Sequence, residues 1–319
     1  MKLIDIGNTP FLELFALAGS GNRFFSKCEF MNPTGSHKDR TYLSIVGELE
    51  FSEIIRPGMT LVDCSTGNGG AALAWIGREK GYQIKIFMPE GMTRERKEQI
   101  VSFGAEIIET PKDEFLSGAV SKAREYVAGE GGGNTFFLDQ ASNLLNKKAW
   151  LACGEEIVVS LQMQAVVPDF FICAIGTGGT FSGIAEVLKR EYPSIRTIGI
   201  EVDSSAPLYA SRQCLDFRHR PHNLMGLGAG VLSENTIPEL VDEVRLASGP
   251  ASWERMKRFI LESGLQIGPT CGSNLLICEE VGLQFSNKNI VTLFFDSSWK
   301  YESRWDGVYP EYQEVNDAT

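Results

Sequence analysis

Histidine is scarce in this chain: there are three, beside seven cysteines that form no CxxC pair. With so few imidazoles, Cys271 has no Cys–His dyad written near it, and no metal-ligand spacing appears, so no metal is expected. No stretch approaches the roughly 18 apolar residues of a membrane span. The first residues lack a basic segment followed by an apolar run, so no secretory signal is expected. Positive charge is also short. Thirty Lys and Arg face 41 Asp and Glu, for a net charge of −11 and a pI near 5.0. That balance argues against nucleic acid or an anionic membrane as the main partner. No GxGxxG follows the first strands, which excludes a dinucleotide-dependent dehydrogenase, and no glycine loop ends in the Lys-Ser/Thr of a nucleotide P-loop. The cysteines are odd in number and several sit in apolar runs, as Cys173 does. They read as reduced, buried thiols of a cytoplasmic protein.

What is present is ordinary in bulk and specific in detail. At 319 residues, 43% hydrophobic and 22% charged, the chain suits a soluble globular protein of roughly two domains. Strand and helix signals alternate. The pattern predicts strands over 60–64, 84–88, 105–109 and 135–138, with helices over 71–80, 93–103 and 114–128. A second series predicts helix 146–162, strand 169–175, helix 181–190 and strand 197–201. An irregular stretch over 204–235 precedes strand 243–246, helices 251–263 and 273–285, and strand 290–295. Such alternation predicts parallel βαβ units, hence an α/β fold of two doubly wound domains with a cleft between them. Ligands in such sheets bind at the carboxyl ends of strands. The 129–134 run of glycines reads as a surface loop.

The segment Asn32-Pro33-Thr34-Gly35-Ser36-His37-Lys38-Asp39-Arg40 predicts a turn feeding a helix over 42–51, with Thr34 or Ser36 as its cap. Lys38 then stands at the positive end of a helix dipole, which favours its neutral amine, the form a Schiff-base nucleophile requires. A solvated lysine beside Asp39 and Arg40 is the alternative. Gly176-Thr177-Gly178-Gly179-Thr180 follows an apolar strand and precedes a helix, so its amides can close on an anion, a phosphate smaller than a nucleotide's tail being the better fit. Ser65-Thr66-Gly67-Asn68-Gly69-Gly70 sits at another strand-to-helix junction and suits a carboxylate. Both are also ordinary turns.

These motifs carry a resemblance. Together with Ile6-Gly7-Asn8-Thr9-Pro10, Met88-Pro89-Glu90, Gly226-Leu227-Gly228-Ala229-Gly230 and Gly268-Pro269-Thr270-Cys271-Gly272, they lie in the order found in the pyridoxal-phosphate enzymes of the cysteine synthase and cystathionine β-synthase family. That family has the tryptophan synthase β-like fold, fold type II, and the likeness runs from residue 6 to about residue 301. It implies that Lys38 holds pyridoxal 5'-phosphate and acts as general base. It implies a phosphate cup of Gly176, Thr177, Gly178, Gly179 and Thr180, with Asn68 on the ring oxygen and Thr270 facing the pyridine nitrogen. Ser65, Thr66, Asn68, Gly69 and Gln140 would bind the substrate carboxylate. A helix N-cap is the other reading of Thr270. The implied domains are 1–12 with 35–145, smaller and carrying the lysine, and 13–34 with 146–319, larger and carrying the cup.

The implied reaction is β-replacement on an O-activated serine through an aminoacrylate. Cysteine synthase acting on O-acetylserine or O-phosphoserine with sulfide leads. The alternatives are a β-eliminating serine/threonine dehydratase-type lyase, or a replacement enzyme making a non-cysteine amino acid. A turnover-deficient binding protein is a rival of another class, disfavoured by the presence of Lys38, Asn68, the cup and Thr270 together. A homodimer is implied as well. The sequence departs from the family at Gly69, where threonine is commoner, after Gln140, where Ala141-Ser142-Asn143 lacks an aromatic residue, and in Asp296-Ser297-Ser298-Trp299-Lys300-Tyr301. His37 before the lysine resembles the tryptophan synthase β chain. Arg218 and Arg220 read as a solvated face, or else as readers of a substrate phosphate. Glu155 and Glu201 read as structural.

Overall fold

Two short strands open the chain, β1 (Phe11–Glu13) and β2 (Arg23–Cys28), neither announced by the alternation in the sequence. Helix α1 (Lys38–Phe51) follows. Then come β3 (Thr60–Cys64), α2 (Asn68–Glu79), β4 (Gln83–Pro89), α3 (Arg94–Ser102), β5 (Glu106–Thr110), α4 (Phe115–Ala128) and β6 (Thr135–Phe137). Helices α5 (Leu145–Lys148) and α6 (Leu151–Met163) lead to β7 (Phe170–Ala174), α7 (Gly179–Glu191) and β8 (Arg196–Val202). The remainder is α8 (Pro207–Gln213), β9 (Glu243–Ala247), α9 (Gly249–Ser263), α10 (Pro269–Gln284) and β10 (Asn289–Phe294). The computed structural model describes residues 1–17, 20–129, 131–228 and 230–312. Ala229 of the Gly226–Gly230 motif, Glu130 of the glycine-rich loop and residues 313–319 of the larger implied domain lie outside them.

The strands form a four-stranded sheet ordered β5-β4-β3-β6 and a six-stranded sheet ordered β1-β2-β10-β7-β8-β9. Every pairing is parallel except β1 with β2. Helices cover the sheets, so strands such as Phe170–Ala174 are buried along their whole length, as parallel strands sheathed in helices must be. In the small sheet the order reverses at β3, between β4 and β6. In the large sheet it reverses at β7, between β8 and β10. Crevices open at the carboxyl ends of strands where order reverses. The segments after β3, β6, β7 and β10 therefore share one cleft.

Some expected boundaries move. Helix α1 begins at Lys38 itself, and its N-cap is His37 with no side-chain cap, so neither Thr34 nor Ser36 caps it. The roles are inverted: the Asp39 carboxylate accepts from Thr34 N at 2.8 Å and from the Thr34 hydroxyl. The expected helix 146–162 is broken around Ala149–Trp150 into α5 and α6. Helix α8 occupies part of the stretch expected to be irregular. Gly268 is the N-cap of α10 and Thr270 lies inside its first turn, so the N-cap reading of Thr270 fails. All seven cysteines are unpaired thiols, six of them buried. Among the described residues, no helix is long and apolar enough to cross a membrane.

Candidate active site

The residues singled out in the sequence converge on the cleft, a cavity of about 890 Å³ including its open mouth. Lys38 enters from the head of α1. Ser65, Thr66, Asn68 and Gly69 come from the turn after β3, and Gln140 from the segment after β6. Gly176, Thr177, Gly178 and Thr180 line it from the turn after β7, and Thr270 from the head of α10. Gly179 stands behind this wall: a Cβ there would fall 2.4 Å from Asn146 Oδ1. His37, Cys64, Leu116, Met225, Phe295 and Asp296 also line the cavity. Cys64, Leu116, Met225 and Phe295 carry no signal in strand and turn periodicity, because only tertiary contact brings them near, whereas His37 and Asp296 stand in segments that the sequence already marks.

The glycine turn after β7 leaves backbone donors free. Gly178 is the N-cap of α7 at φ +80°, a conformation that favours glycine. A Cβ there would lie 2.1 Å from the buried, unpartnered Thr236 hydroxyl. Ser182 is the first α7 amide to find an intrahelical carbonyl, that of Gly178, so the amides of Gly179, Thr180 and Phe181 have none. With the helix dipole behind them they form an anion-seeking donor set. Thr177 Oγ1 is held by Asn146 Nδ2 at 3.1 Å.

The turn after β3 spends more of its polar atoms internally. Ser65 Oγ accepts from Gly67 N and Gly70 N at 3.0 and 2.9 Å. Thr66 Oγ1 donates across the cleft to Met225 O at 2.8 Å, and Asn68 Nδ2 donates to Asp296 Oδ2 at 2.7 Å. What remains for a ligand is the Ser65 hydroxyl proton, the amides at the head of α2 and the unpartnered Asn68 Oδ1. The departure at Gly69 has a physical reason. A Cβ there would stand 2.9 Å from the Tyr42 hydroxyl, which occupies the room.

Lys38 Nζ donates to Gln140 Oε1 at 2.9 Å. Burial pulls its pKa down to about 8, opposed by the Asp63 carboxylate. Asp63 itself is pushed up to about 7 by burial, against hydrogen bonds from Cys64 N, the Tyr42 hydroxyl and Gln140 N. The His37 ring is pushed well below its usual value, chiefly by burial and then by Lys38. The amine is thus far easier to deprotonate than an ordinary lysine, although at neutral pH the protonated form still dominates.

Several other expectations fall away from the cleft. Arg218 is exposed, and Arg220 lines a separate groove with His222 and Asn223. Among the described residues no arginine lines the cleft, so the solvated-face reading prevails. Glu201 accepts from Leu208 N and Tyr209 N at 3.1 and 2.7 Å, holding the head of α8, and Glu155 pairs with Arg190 at 2.6 Å. Cys271 is buried, its thiol pushed up by burial, and it accepts from Phe295 N at 3.2 Å.

Residues 3–296 match the family of pyridoxal-phosphate dependent enzymes. The chain belongs to that family. Within it, the cysteine synthase of Staphylococcus aureus is 32% identical over 301 residues, covering 93% of this chain and 94% of the relative. Cysteine synthase B of Campylobacter jejuni is 32% identical over 299 residues, covering 93% and 95%. Among solved structures, a hydrogen sulfide-producing enzyme from Fusobacterium nucleatum matches with a TM-score of 0.86 at 30% identity, over 94% of this chain and 98% of that one. Pyridoxal phosphate is the cofactor of this family, and the cleft suits it. The free amides at the head of α7 form a donor set for a phosphate, and the Lys38 amine, its pKa lowered by burial, lines the same cavity.

Proposed function

We propose that the chain is a cysteine synthase-type enzyme that replaces the leaving group on Cβ of an O-activated serine with a small nucleophile, sulfide first. The observation that carries this is the Lys38 amine, brought towards neutrality in the same cavity as the free amides of α7, in a chain 32% identical to known cysteine synthases. Lys38 would hold the cofactor. Gly176 to Thr180 would hold its phosphate, Asn68 its ring oxygen and Thr270 its pyridine nitrogen.

When bound, pyridoxal phosphate supplies the electron sink for the pair left behind as the α-proton departs. Lys38 Nζ takes that proton, as its lowered pKa permits near neutral pH. The Ser65 hydroxyl, the amides of Asn68 and Gly69, and the Gln140 side-chain N–H orient the substrate carboxylate. Thr66 enters this set by pinning the turn against Met225. A neutral hydroxyl at Thr270 would leave the pyridine nitrogen unprotonated, which would suit loss of a β-substituent better than transamination. Leu116 and Phe295 line the cavity and give it apolar wall.

The absence of arginine from the described cleft lining supports O-acetylserine over O-phosphoserine. A second reading is β-elimination, in which O-acetylserine would lose acetate and cysteine would lose sulfide, each leaving pyruvate and ammonia; the 30% identical relative described as hydrogen sulfide-producing favours it. A replacement making a non-cysteine product stands behind both. We also propose residues 1–12 with 35–145 and 13–34 with 146–319 as the two domains, and a cytoplasmic homodimer as the working form, as the family resemblance implies.

The test is product analysis on the cofactor-loaded full chain given O-acetylserine with and without sulfide. Cysteine with sulfide supports replacement. Pyruvate in both cases overturns replacement in favour of elimination, sulfide released from cysteine given alone supports the second reading, and formation of neither cysteine nor pyruvate overturns the proposal.

A further inference from the structure

Lys38 and Tyr42 stand one turn apart on α1 and so share a face. Tyr42 is fully buried, and its hydroxyl donates to Asp63 Oδ2 at 2.9 Å. Asp63, 1% exposed near the end of β3, also accepts from Cys64 N at 2.8 Å and Gln140 N at 3.4 Å. Gln140 in turn accepts from Lys38 Nζ at 2.9 Å. The contacts close a ring: Lys38 to Tyr42 along the helix, Tyr42 to Asp63, Asp63 to the Gln140 backbone, and the Gln140 side chain back to Lys38. The side-chain-free Gly69 leaves room for the Tyr42 hydroxyl in this ring.

The other titratable groups around it are few. His37 is held neutral and the Cys64 thiol is held protonated by burial, while Asp139 faces Asp63 from the segment after β6 and Asp296 lines the far side of the cavity. Asp63 is the charged group that acts on the amine of Lys38.

We propose that Asp63 is a positioning residue for the reaction: through Gln140 and Tyr42 it orients the Lys38 amine and sets the pH at which that amine sheds its proton. The proposal rests on the reading of Lys38 as the cofactor lysine. Near neutral pH an ionised Asp63 favours the protonated amine while burial disfavours it, and the two effects together fix the balance. Asp63 meets the cleft through the backbone amides of Cys64 and Gln140, and its charge acts on the Lys38 amine from behind that wall.

The experiment follows the labelling of Lys38 by trinitrobenzenesulfonate against pH, in the full-length chain stripped of cofactor, read by mass spectrometry of the Lys38 peptide. Wild type should show a midpoint near 8. In Asp63→Asn the midpoint should fall by roughly one pH unit, since an opposing charge has gone. Tyr42→Phe should give a smaller fall, because losing its hydrogen bond makes Asp63 harder to ionise. Asp63→Glu should restore the wild-type midpoint, which a merely structural role would not do. Circular dichroism checks that each variant is folded. A wild-type midpoint in folded Asp63→Asn and Tyr42→Phe overturns the proposal, as does failure of Asp63→Glu to restore it. If Asp63→Asn does not fold, Tyr42→Phe decides alone. The labelling is read on the cofactor-free chain, so it reports the Lys38 amine whether or not that residue is the one that holds the cofactor, and this proposal and the reading of Lys38 fail separately.

Discussion

Asn68 Nδ2 donates to Asp296 Oδ2 at 2.7 Å, tying together residues 228 positions apart, one at the head of α2 and the other just beyond β10. The same carboxylate oxygen accepts from the Tyr301 hydroxyl at 2.6 Å and lies 3.7 Å from Arg96 Nη2. Arg96 is itself buried, with its guanidinium 4.3 Å from the centre of the Tyr301 ring. Each sheet thus contributes a charge to one buried knot beside the cleft. Asp296→Ala would leave the Arg96 charge without its partner and release the Asn68 amide. Urea unfolding should show a loss of about 3–5 kcal/mol, with weaker binding of pyridoxal phosphate. A stability within about 1 kcal/mol of wild type would mean that the knot is not holding the sheets together.

A second buried network anchors the lysine segment from below. Arg40 donates to Glu29 at 2.7 and 2.9 Å and to Glu156 at 2.7 Å, while Lys27 meets Glu156 at 2.6 Å. Glu29 is fully buried and also accepts from Thr9 at 2.6 Å, which draws the Ile6–Pro10 motif into the network. Glu29→Ala should cost about 3 kcal/mol or more by chemical denaturation, because it leaves the Thr9 hydroxyl, the Asn32 amide and Arg40 Nε without their buried acceptor, even with Glu156 still paired to the guanidinium. Glu155→Ala breaks only the exposed pair with Arg190 and should leave the unfolding midpoint unchanged.

Gly178→Ala separates crowding from backbone strain. Both Gly178 (φ +80°) and Gly264 (φ +76°) adopt a left-handed conformation, but only at Gly178 would a Cβ strike another group. Gly264→Ala should cost about 1–2 kcal/mol for the conformation alone. Gly178→Ala should cost more and should abolish cofactor retention on gel filtration, since the Thr236 contact forces the cup to open. Equal costs and equal retention would show that the cup is not tightly built.

Asp63 makes stability depend on pH. Its folded pKa, about 7, lies above the unfolded value near 3.9. The proton is therefore bound more tightly in the folded chain. The stability it contributes is fully present below about pH 4 and is lost as pH rises towards and through 7. The difference in unfolding free energy between wild type and Asp63→Asn should change by up to about 4 kcal/mol between pH 4 and pH 7.5, because a tenfold change in proton affinity corresponds to about 1.36 kcal/mol. A difference independent of pH would mean that Asp63 titrates normally.

Much of the fold was legible in the sequence because its helices and strands obey local rules. Strands such as β7 and β10 are largely apolar runs that are buried along most of their length, and the cup declares itself by composition. What escaped depended on distance. β2 carries Arg23, Ser26 and Lys27 in six residues, and it makes sense as a strand only beside β10, more than 260 positions away, with Lys27 neutralised by Glu156. Likewise Thr34 looked like a helix cap, yet Asp39 reaches back to hold it. In the cleft the motif glycines, Lys38, Asn68 and Gln140 were readable. Tyr42 and Asp63 were not, because each is defined by the partner it meets.

Every functional role assigned to the cleft depends on Lys38 carrying the cofactor. Another amine offers a real contrast: Lys300 is fully buried, its pKa pulled down by burial, and it donates to Gln99 at 2.6 Å outside the cavity. Borohydride reduction of the loaded protein, followed by digestion and peptide mass spectrometry, identifies which lysine retains the cofactor. The reduced pyridoxyl group is expected on Lys38 alone. Finding it on Lys300 or any other lysine, or on none after full loading, would contradict the assignment.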